Sequence, residues 1–235
     1  MRWPRIPDDR YRAEYDMASL ILVASDYAVQ TFVAQGVPPE KVRAIYRGAD
    51  TVRFVPPADK PAHPFVVASC GLLGERKGSY ELLRAWRRLA LPDAELWLIG
   101  HLPPAEAPAL HSLATPSVRF LGFRKDLPQL LQKVHLHVLL SRNEGLAKVL
   151  LEAGASGVPN LCTSEAGLPT DAAGTIFIGD RNDEAEVCAA IEFCYRDPEA
   201  TRRLGLVARR MVEERFGWSA FRARFRQAVA DVAIR

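Results

Sequence analysis

The stretch FVVASCGLLGERKGSYELLRAWRRLALPDAELWLIG, residues 65–100, decides the fold class of this 235-residue chain. Its apolar run at residues 65–70 predicts a strand, residues 79–90 have the apolar spacing of a helix, and residues 95–100 predict a second strand. Strands with apolar residues on both faces are typical of a parallel sheet that helices cover on both sides. A strand, a helix and a strand in this order predict a right-handed βαβ crossover.

The same alternation continues along the rest of the chain. Further strands are predicted at residues 118–122, 135–141, 160–163 and 175–178, and helices at about 106–113, 127–133, 148–156 and 184–195. Two arginine-rich helices are predicted at residues 202–216 and 219–232. We therefore expect an α/β protein with a doubly wound, parallel, Rossmann-like sheet, in which ligands bind at the carboxyl ends of the strands.

A smaller unit with the same element order precedes this sheet. Strands are predicted at residues 19–25 and 42–46. The helix between them is predicted to start with Asp26 as its N-cap and to end before Gly36. Two strands leave open edges and an uncovered apolar face, so we expect this unit to dock onto another domain or to form a dimer.

A proline-rich segment separates the two parts. Four prolines lie in PPADKPAHP, residues 56–64, and proline can join neither a strand ladder nor the interior of a helix. We therefore place a domain boundary there. Residues 1–58 are predicted to form the βαβ unit with its linker, and residues 59–235 a Rossmann-like ligand-binding domain.

Composition excludes several classes of protein. A hydrophobic content of 49% with a formal net charge of only +3 rules out disorder as the main state, and the small charge does not indicate nucleic-acid binding. No apolar run reaches the about 18 residues of a membrane-spanning helix, and no secretory signal is visible. The four cysteines form no Cys-x-x-Cys pair, so we expect reduced thiols and a cytoplasmic location.

The sequence SRNEGLAKVLLEAGASGVP, residues 141–159, is the best candidate for a binding site. A strand is predicted to end at Ser141 and a helix to begin near Ala147, so the unpaired first amides and the positive dipole end of that helix form an anion site. Glu144 lies in the turn and Glu152 lies within the helix, and both can face one cleft. Carboxylates beside a phosphate site are favourable when they bind the hydroxyls of a sugar or ribose.

Other charged residues admit two interpretations. Arg76 and Lys77 precede a helix, where the dipole disfavours cations, and this placement favours an anion ligand over a merely solvated helix start. His135 and His137 lie on one face of a strand, but without a third ligand nearby, packing is favoured over a metal site. The carboxy-terminal arginines favour a solvated helical face, with contact to anionic lipid as the alternative.

Six segments in order resemble motifs of glycosyltransferase family 4. Glu144 and Glu152 match the E-x7-E pattern of retaining enzymes with the GT-B fold, and the run EGLAKVLLEAGASGVP is similar to a stretch of family 4. The other similar segments are residues 24–50, GLLGERKG at 71–78 with the following LLRAW, LIG at 98–100, FLG at 120–122 and VEERFGW at 212–218. The resemblance extends from about residue 19 to about residue 225.

This resemblance implies roles for the matched residues. Glu144 would hold hydroxyls of the donor sugar, Glu152 would bind the ribose, and Lys77 with Arg76 would neutralise the diphosphate leaving group. The other implied donor-binding residues are Gly71, the amides of Gly145, Leu146, Ala147 and Lys148 around the distal phosphate, Gly100, Gly122, Phe123 and Arg124 around the base, and Thr163 near the phosphate floor. The implied reaction is transfer of a hexosyl unit from a UDP- or GDP-type sugar, with retention of configuration and without a metal cofactor.

The sequence departs from the family pattern at several positions. Leu72 stands where the family commonly has an arginine, so Arg76 would have to compensate. Gly145-Leu146-Ala147 replaces a more typical glycine-phenylalanine-glycine, and residues 170–173 replace a stretch of the form ELVEDG. Residues 1 to about 55 resemble only the last βαβ unit of the acceptor-binding domain, so the resemblance implies a donor-binding half.

The expected partners are a nucleotide-sugar donor, a sugar or lipid-linked acceptor, and either an acceptor domain or a second copy of the chain. A peripheral position at the inner face of the membrane is an alternative to a purely cytoplasmic one. Three other functions stay open: a catalytically silent module that binds nucleotide sugar, another GT-B activity such as a sugar phosphorylase or nucleotide-sugar epimerase, and a fragment that needs a partner domain.

Overall fold

The computed structural model describes residues 9–60 and 63–233, which begin with a small βαβ unit. A helix, α1 (Asp9–Met17), precedes the strand β1 (Ile21–Val23), the helix α2 (Asp26–Ala34) and the strand β2 (Val42–Ala44). The two strands pair in parallel, in register from Ile21 with Val42 to Val23 with Ala44. Sequence analysis missed α1 and predicted both strands longer than they are.

The centre of the molecule is a six-stranded sheet that confirms the predicted doubly wound α/β class. Its strands are β3 (Phe65–Cys70), β4 (Ala94–Ile99), β5 (Val118–Gly122), β6 (Leu136–Leu139), β7 (Asn160–Thr163) and β8 (Thr175–Ile178). All neighbours pair in parallel, in the order β5-β4-β3-β6-β7-β8. The order reverses between β3 and β6, and the crevice at such a reversal is where doubly wound sheets bind ligands.

Helices cover both faces of this sheet. They are α3 (Ser79–Leu89), α4 (Ala107–Leu113), α5 (Leu127–Leu131), α6 (Lys148–Ala155) and α7 (Glu184–Arg196), followed by α8 (Pro198–Phe216) and α9 (Trp218–Ala233). All six residues of β3 are buried. Phe65 and Val67 join the apolar layer that contains Leu82 of α3, whereas Val66 joins the opposite layer with Leu150 of α6. The side-chain alternation of a strand therefore feeds two cores.

Two helix starts differ from the predicted ones. The N-cap of α2 is Ser25 rather than Asp26, because the Ser25 hydroxyl accepts the Ala28 amide at 3.1 Å and Asp26 is already helical. The helix α8 begins at Pro198, four residues before the predicted start, because the Asp197 side chain accepts the amide of Ala200. Gly36 follows α2 with φ of 89°, as expected of a residue that ends a helix.

The last two helices hold the small unit against the sheet domain. Ala49 forms a parallel bridge with Gly217 between α8 and α9, and Arg43 of β2 pairs with Asp231 of α9 at 2.5 Å. The predicted boundary at the proline segment stays a prediction. Within the residues described, no helix combines the length and apolar character needed to cross a bilayer.

Candidate functional site

A cavity of about 490 Å³ lies at the carboxyl ends of the strands, where the strand order reverses. Its size is typical of a ligand site. Ten of the predicted site residues line it: Gly71, Lys77, Gly100, Phe123, Arg124, Glu144, Leu146, Ala147, Lys148 and Glu152. Residues separated by up to 81 positions in sequence thus line one cavity, because the loops after β3, β4, β5 and β6 all begin at this edge of the sheet.

Two glycines allow the loops after β3 and β4 to come close at the cavity. Gly100 has φ of 139°, and a Cβ there would lie 1.8 Å from the carbonyl oxygen of Gly71. Gly71 has φ of 138°, and a Cβ there would touch the Lys77 side chain at 3.4 Å. Larger residues at either position would strain the backbone and would move the wall of the cavity.

Glu144 lies in the cavity wall and holds two cations, of which only Lys77 also lines the cavity. Its Oε1 atom lies 2.6 Å from Lys77 Nζ and 2.6 Å from Arg76 Nη1. The Lys77 and Glu144 side chains are only 11% and 14% exposed, whereas Arg76 is 53% exposed. A partly buried ion pair keeps more of its strength than a surface pair. The three side chains together carry one positive charge, so this wall attracts an anion.

Glu152, on α6, is the second carboxylate that lines the cavity. Its side chain is 10% exposed and pairs with Lys148 Nζ at 2.9 Å, one helical turn away. Cys70 lies beside it at the end of β3, and burial, with the Glu152 carboxylate acting in the same direction, raises the pKa of the thiol. Cys70 therefore stays protonated. Since only a thiolate is a good nucleophile, the role of this side chain is packing.

The start of α6 faces the same cavity. Its N-cap residue, Ala147, has no side chain that could accept a hydrogen bond from the first turn. Such a helix end offers amide donors and a partial positive charge to an anion. One expectation needs correction: the Ala147 amide itself donates to the Ala166 carbonyl at 3.0 Å, because the turn packs on the loop after β7. Of the four amides predicted at residues 145–148, the Ala147 amide is therefore used within the fold, and Gly145 does not line the cavity.

Four predicted site residues do not line the cavity. Thr163 is one of them. Its hydroxyl donates to the Ser141 carbonyl at 2.7 Å and so links the chain segments at the ends of β6 and β7. Gly145 instead contacts the small unit, where a Cβ would lie 3.5 Å from the Ala24 methyl group. Arg76 reaches the site only through Glu144, and Gly122 only precedes the lining residue Phe123.

Several lining residues were missed by sequence analysis, chiefly Arg47, His101 and Leu127. His101 follows Gly100 directly, so its place after a predicted strand could have indicated it. Arg47 comes from the loop after β2, in the small unit. Nothing in its local sequence shows that this loop reaches the cavity, because α8 and α9 bring it there.

The two histidines of the His-x-His pair form hydrogen bonds with neighbouring strands of the sheet. The His135 Nδ1 atom accepts the Val66 amide at 3.0 Å, and His137 Nδ1 lies 3.0 Å from the Asn160 side-chain oxygen. Burial is the main cause that lowers the pKa of His137 to about 4, so its ring is neutral at neutral pH. Among residues 9–60 and 63–233, no three His, Cys, Asp or Glu side chains gather as a metal site would require.

Comparisons with known proteins find relatives of this chain. The family model for glycosyl transferases group 1 matches residues 64–197. The chain is 38% identical over 123 residues to the lipopolysaccharide core biosynthesis glycosyltransferase LpsE of Rhizobium meliloti, which covers 50% of this chain and 34% of that protein. It is 29% identical over 225 residues to the D-inositol 3-phosphate glycosyltransferase of Corynebacterium kroppenstedtii, covering 84% of this chain and 49% of the relative.

The fold also matches a solved structure. The crystal structure of Anabaena HepE in complex with UDP and glucose superposes with a TM-score of 0.81 at 22% identity, over 94% of this chain and 67% of that one. At this identity the likeness concerns the fold. The chain spans between a third and a half of the length of the two curated relatives described above.

Proposed function

Because the chain belongs to the group 1 glycosyl transferases, we propose that its cavity binds a nucleotide diphosphate sugar as the donor of a hexosyl unit. The observation that carries this proposal is the convergence of Lys77 and Arg76 on Glu144, beside the uncapped start of α6. Cations and helix amides suit a diphosphate, and the carboxylates beside them suit the hydroxyls on either side of it.

The diphosphate would lie between Lys77 and the start of α6. In the free protein Lys77 is held by Glu144, so an incoming phosphate would compete with a carboxylate for the ammonium group. As the bond from the sugar to the phosphate breaks, negative charge grows on the departing diphosphate. Lys77, Arg76 and the α6 amides would stabilise that charge without moving, which is the main way in which a preorganised site lowers a barrier.

The two carboxylates would bind the sugars at either end. Glu144 lies beside the cations and would accept hydroxyls of the transferred hexose, whereas Glu152 lies one turn inside α6 and would accept ribose hydroxyls. Phe123 and Arg124, at the end of β5, would surround the base. Transfer is proposed to retain the configuration of the hexose, as in family 4, with side chains rather than a metal ion balancing the diphosphate charge.

The wider setting is part of the same proposal. HepE was solved with UDP and glucose, which supports a UDP-type donor, and relatives named for lipopolysaccharide core and inositol phosphate glycosylation support a sugar or lipid-linked acceptor. In the described part of the chain β1 pairs only with β2. We therefore infer that a further domain or a second copy covers this unit and completes the acceptor side, in the cytoplasm or at the inner membrane face.

Titration calorimetry with UDP, GDP and ADP tests the donor site. We expect micromolar binding of one of them, and at least tenfold weaker binding by Glu152→Gln, because the variant loses a charged acceptor for ribose hydroxyls. Glu192→Gln is the matched control, since Glu192 also forms an i,i+4 pair, with Arg196, but on the exposed side of α7. Absence of binding by the wild-type chain, or equal loss in both variants, would refute the donor site.

A second candidate is a module that binds the donor without turning it over. Leu72 favours it, because this 45% exposed apolar side chain lines the cavity where a further cation could lie. Incubation with the UDP-, GDP- or ADP-sugar whose nucleotide binds separates the two candidates. Release of free sugar that is lost in Lys77→Met supports a transferase site, and binding without release supports the silent module. Addition of EDTA is expected to leave release unchanged.

A further inference from the structure

We infer that Arg47, in the loop after β2, is a second diphosphate-binding residue of the cavity, beside Lys77 among the lining residues; this inference rests on the function proposed above. Arg47 is exposed and lines the cavity together with Lys77 and Glu144. Arg47 lies within the segment of residues 24–50 that resembles family 4, but the resemblance implies no role for it. Its role follows from the charges around the cavity and from the way its loop is fixed.

Among the residues that the structure describes, the charges around the cavity leave Arg47 without a counter-ion. Glu144 is shared by two cations, which leaves one positive charge on that cluster. Lys148 is neutralised by Glu152 at 2.9 Å, and Arg124 by Asp126 at 2.6 Å. Arg47 forms no ion pair with any carboxylate in the described part of the chain. It therefore supplies one of the two uncompensated positive charges at the cavity, and each phosphate of a nucleotide sugar carries a negative charge.

The backbone on both sides of Arg47 is fixed, although its side chain has no ion-pair partner among the described residues. The Tyr46 carbonyl accepts a hydrogen bond from Arg224 at 3.4 Å, and the Ala49 amide donates to the Phe216 carbonyl at 2.7 Å. Gly48 packs against the Trp218 ring so closely that a Cβ would lie 2.4 Å from it. The start of α9 therefore aims the loop at the cavity before any ligand arrives, which lowers the entropic cost of binding.

A neighbour in the same unit shows the difference between a structural and a ligand-binding arginine. Arg43, on β2, is 39% exposed and pairs with Asp231 at 2.5 Å, so its charge is used within the fold. Arg47 lies four residues further along, has no such partner among the described residues and faces the cavity. The planar fork of a guanidinium can bind two phosphate oxygens at once, so arginine suits this position better than lysine.

Calorimetry on the full chain at low ionic strength tests this inference. The probes are whichever of UDP, GDP and ADP binds the wild-type chain most tightly, and the corresponding nucleoside without phosphates. Arg47→Gln is expected to bind the nucleoside diphosphate about tenfold more weakly and the nucleoside unchanged, because only the diphosphate contact is lost. Arg47→Lys should lose less. Arg87→Gln, at an exposed arginine of α3 outside the cavity, should change neither affinity.

The outcomes separate this inference from the proposed function. If the wild-type chain binds none of the three nucleotides, the donor site itself is refuted, and Arg47 with it. If the wild type binds and Arg47→Gln binds the diphosphate equally well, only the role of Arg47 is refuted. An equal loss for nucleoside and diphosphate would also overturn it, because it would show an effect on the base or on the fold. Unchanged melting temperatures would confirm that the variants fold.

Discussion

The small βαβ unit and the six-stranded sheet have the same element order, but they are stabilised differently. Every residue of β3 is buried, and each face of the large sheet has its own apolar layer. In the small unit, α2 has no buried residue, and Leu22 and Val33 are 39% and 36% exposed. The large sheet is thus stabilised by its own core, whereas the small unit depends on contacts with α8 and α9.

This difference matters for function because both regions contribute residues that line the cavity. Lys77, Glu144 and Glu152 come from the domain of the large sheet, whereas Arg47 comes from the small βαβ unit. The residues from the sheet domain are therefore held by its own core, whereas the position of Arg47 depends on contacts of its loop with α8 and α9.

The same truncation in each region should give the largest contrast. Leu150→Ala is expected to lower the free energy of unfolding by about 2–5 kcal/mol, because Leu150 is 0% exposed and leaves a cavity in the core under α6. Leu22→Ala, at a side chain that is 39% exposed, should cost about 1 kcal/mol or less. Urea unfolding of both variants measures this, and similar losses would show that the two regions do not differ.

Acid should destabilise the large sheet through His137. Its pKa is lowered from 6.5 to about 4, so between these values the unfolded chain binds a proton that the folded protein does not. The free energy of unfolding therefore rises with pH across this window, and about 2–3 kcal/mol is lost between pH 7 and pH 4.5. Urea unfolding at both pH values should show a smaller loss in His137→Gln.

The control for this pH effect is His111→Gln, because His111 lies on the exposed side of α4. That variant should keep the full dependence of the wild type. If His137→Gln and His111→Gln show the same dependence on pH, the buried ring of His137 is not its source.

Hydrogen bonds from Arg209 of α8 should contribute most to holding the two regions together. Its guanidinium donates to the carbonyls of Thr51, Phe54 and Ala155 at 2.5 to 3.0 Å, and its side chain is 15% exposed. Arg209→Met is expected to cost about 2 kcal/mol, because three carbonyls lose a charged donor. Hydrogen exchange should accelerate at residues 42–55 more than in β3.

Arg43→Met serves as the matched control for Arg209→Met. It removes the half-exposed pair with Asp231, which should cost less than about 1 kcal/mol. Equal effects of the two variants, or unchanged exchange at residues 42–55 in Arg209→Met, would show that Arg209 does not hold the small unit.

The sequence predicted the large sheet well because each strand there is a buried apolar run followed by a helix. It predicted that Glu144 and Glu152 face one cleft for the same reason, since both lie after a strand end. It could not predict that Arg76 and Lys77 share Glu144, because this contact joins residues 67 and 68 positions apart. The helix α1 was missed because it is mostly polar and has no apolar face.

The placement of Arg47 and Thr163 depended on tertiary packing. Arg47 reaches the cavity because Trp218 and Phe216 hold its loop, and these residues lie about 170 positions further along the chain. Thr163 follows a strand, as a ligand-binding residue would, but its hydroxyl is used by the Ser141 carbonyl. A pattern of strand ends shows where a site can form, and hydrogen bonding decides which side chains remain available.

The most direct test of the donor site is a crystal structure of the chain soaked with the nucleoside diphosphate that it binds most tightly. We predict that the diphosphate lies within hydrogen-bonding distance of Lys77 and of the first amides of α6, with the ribose on Glu152. A nucleotide bound outside this cavity, or one whose phosphates point away from Lys77 and α6, would contradict the account.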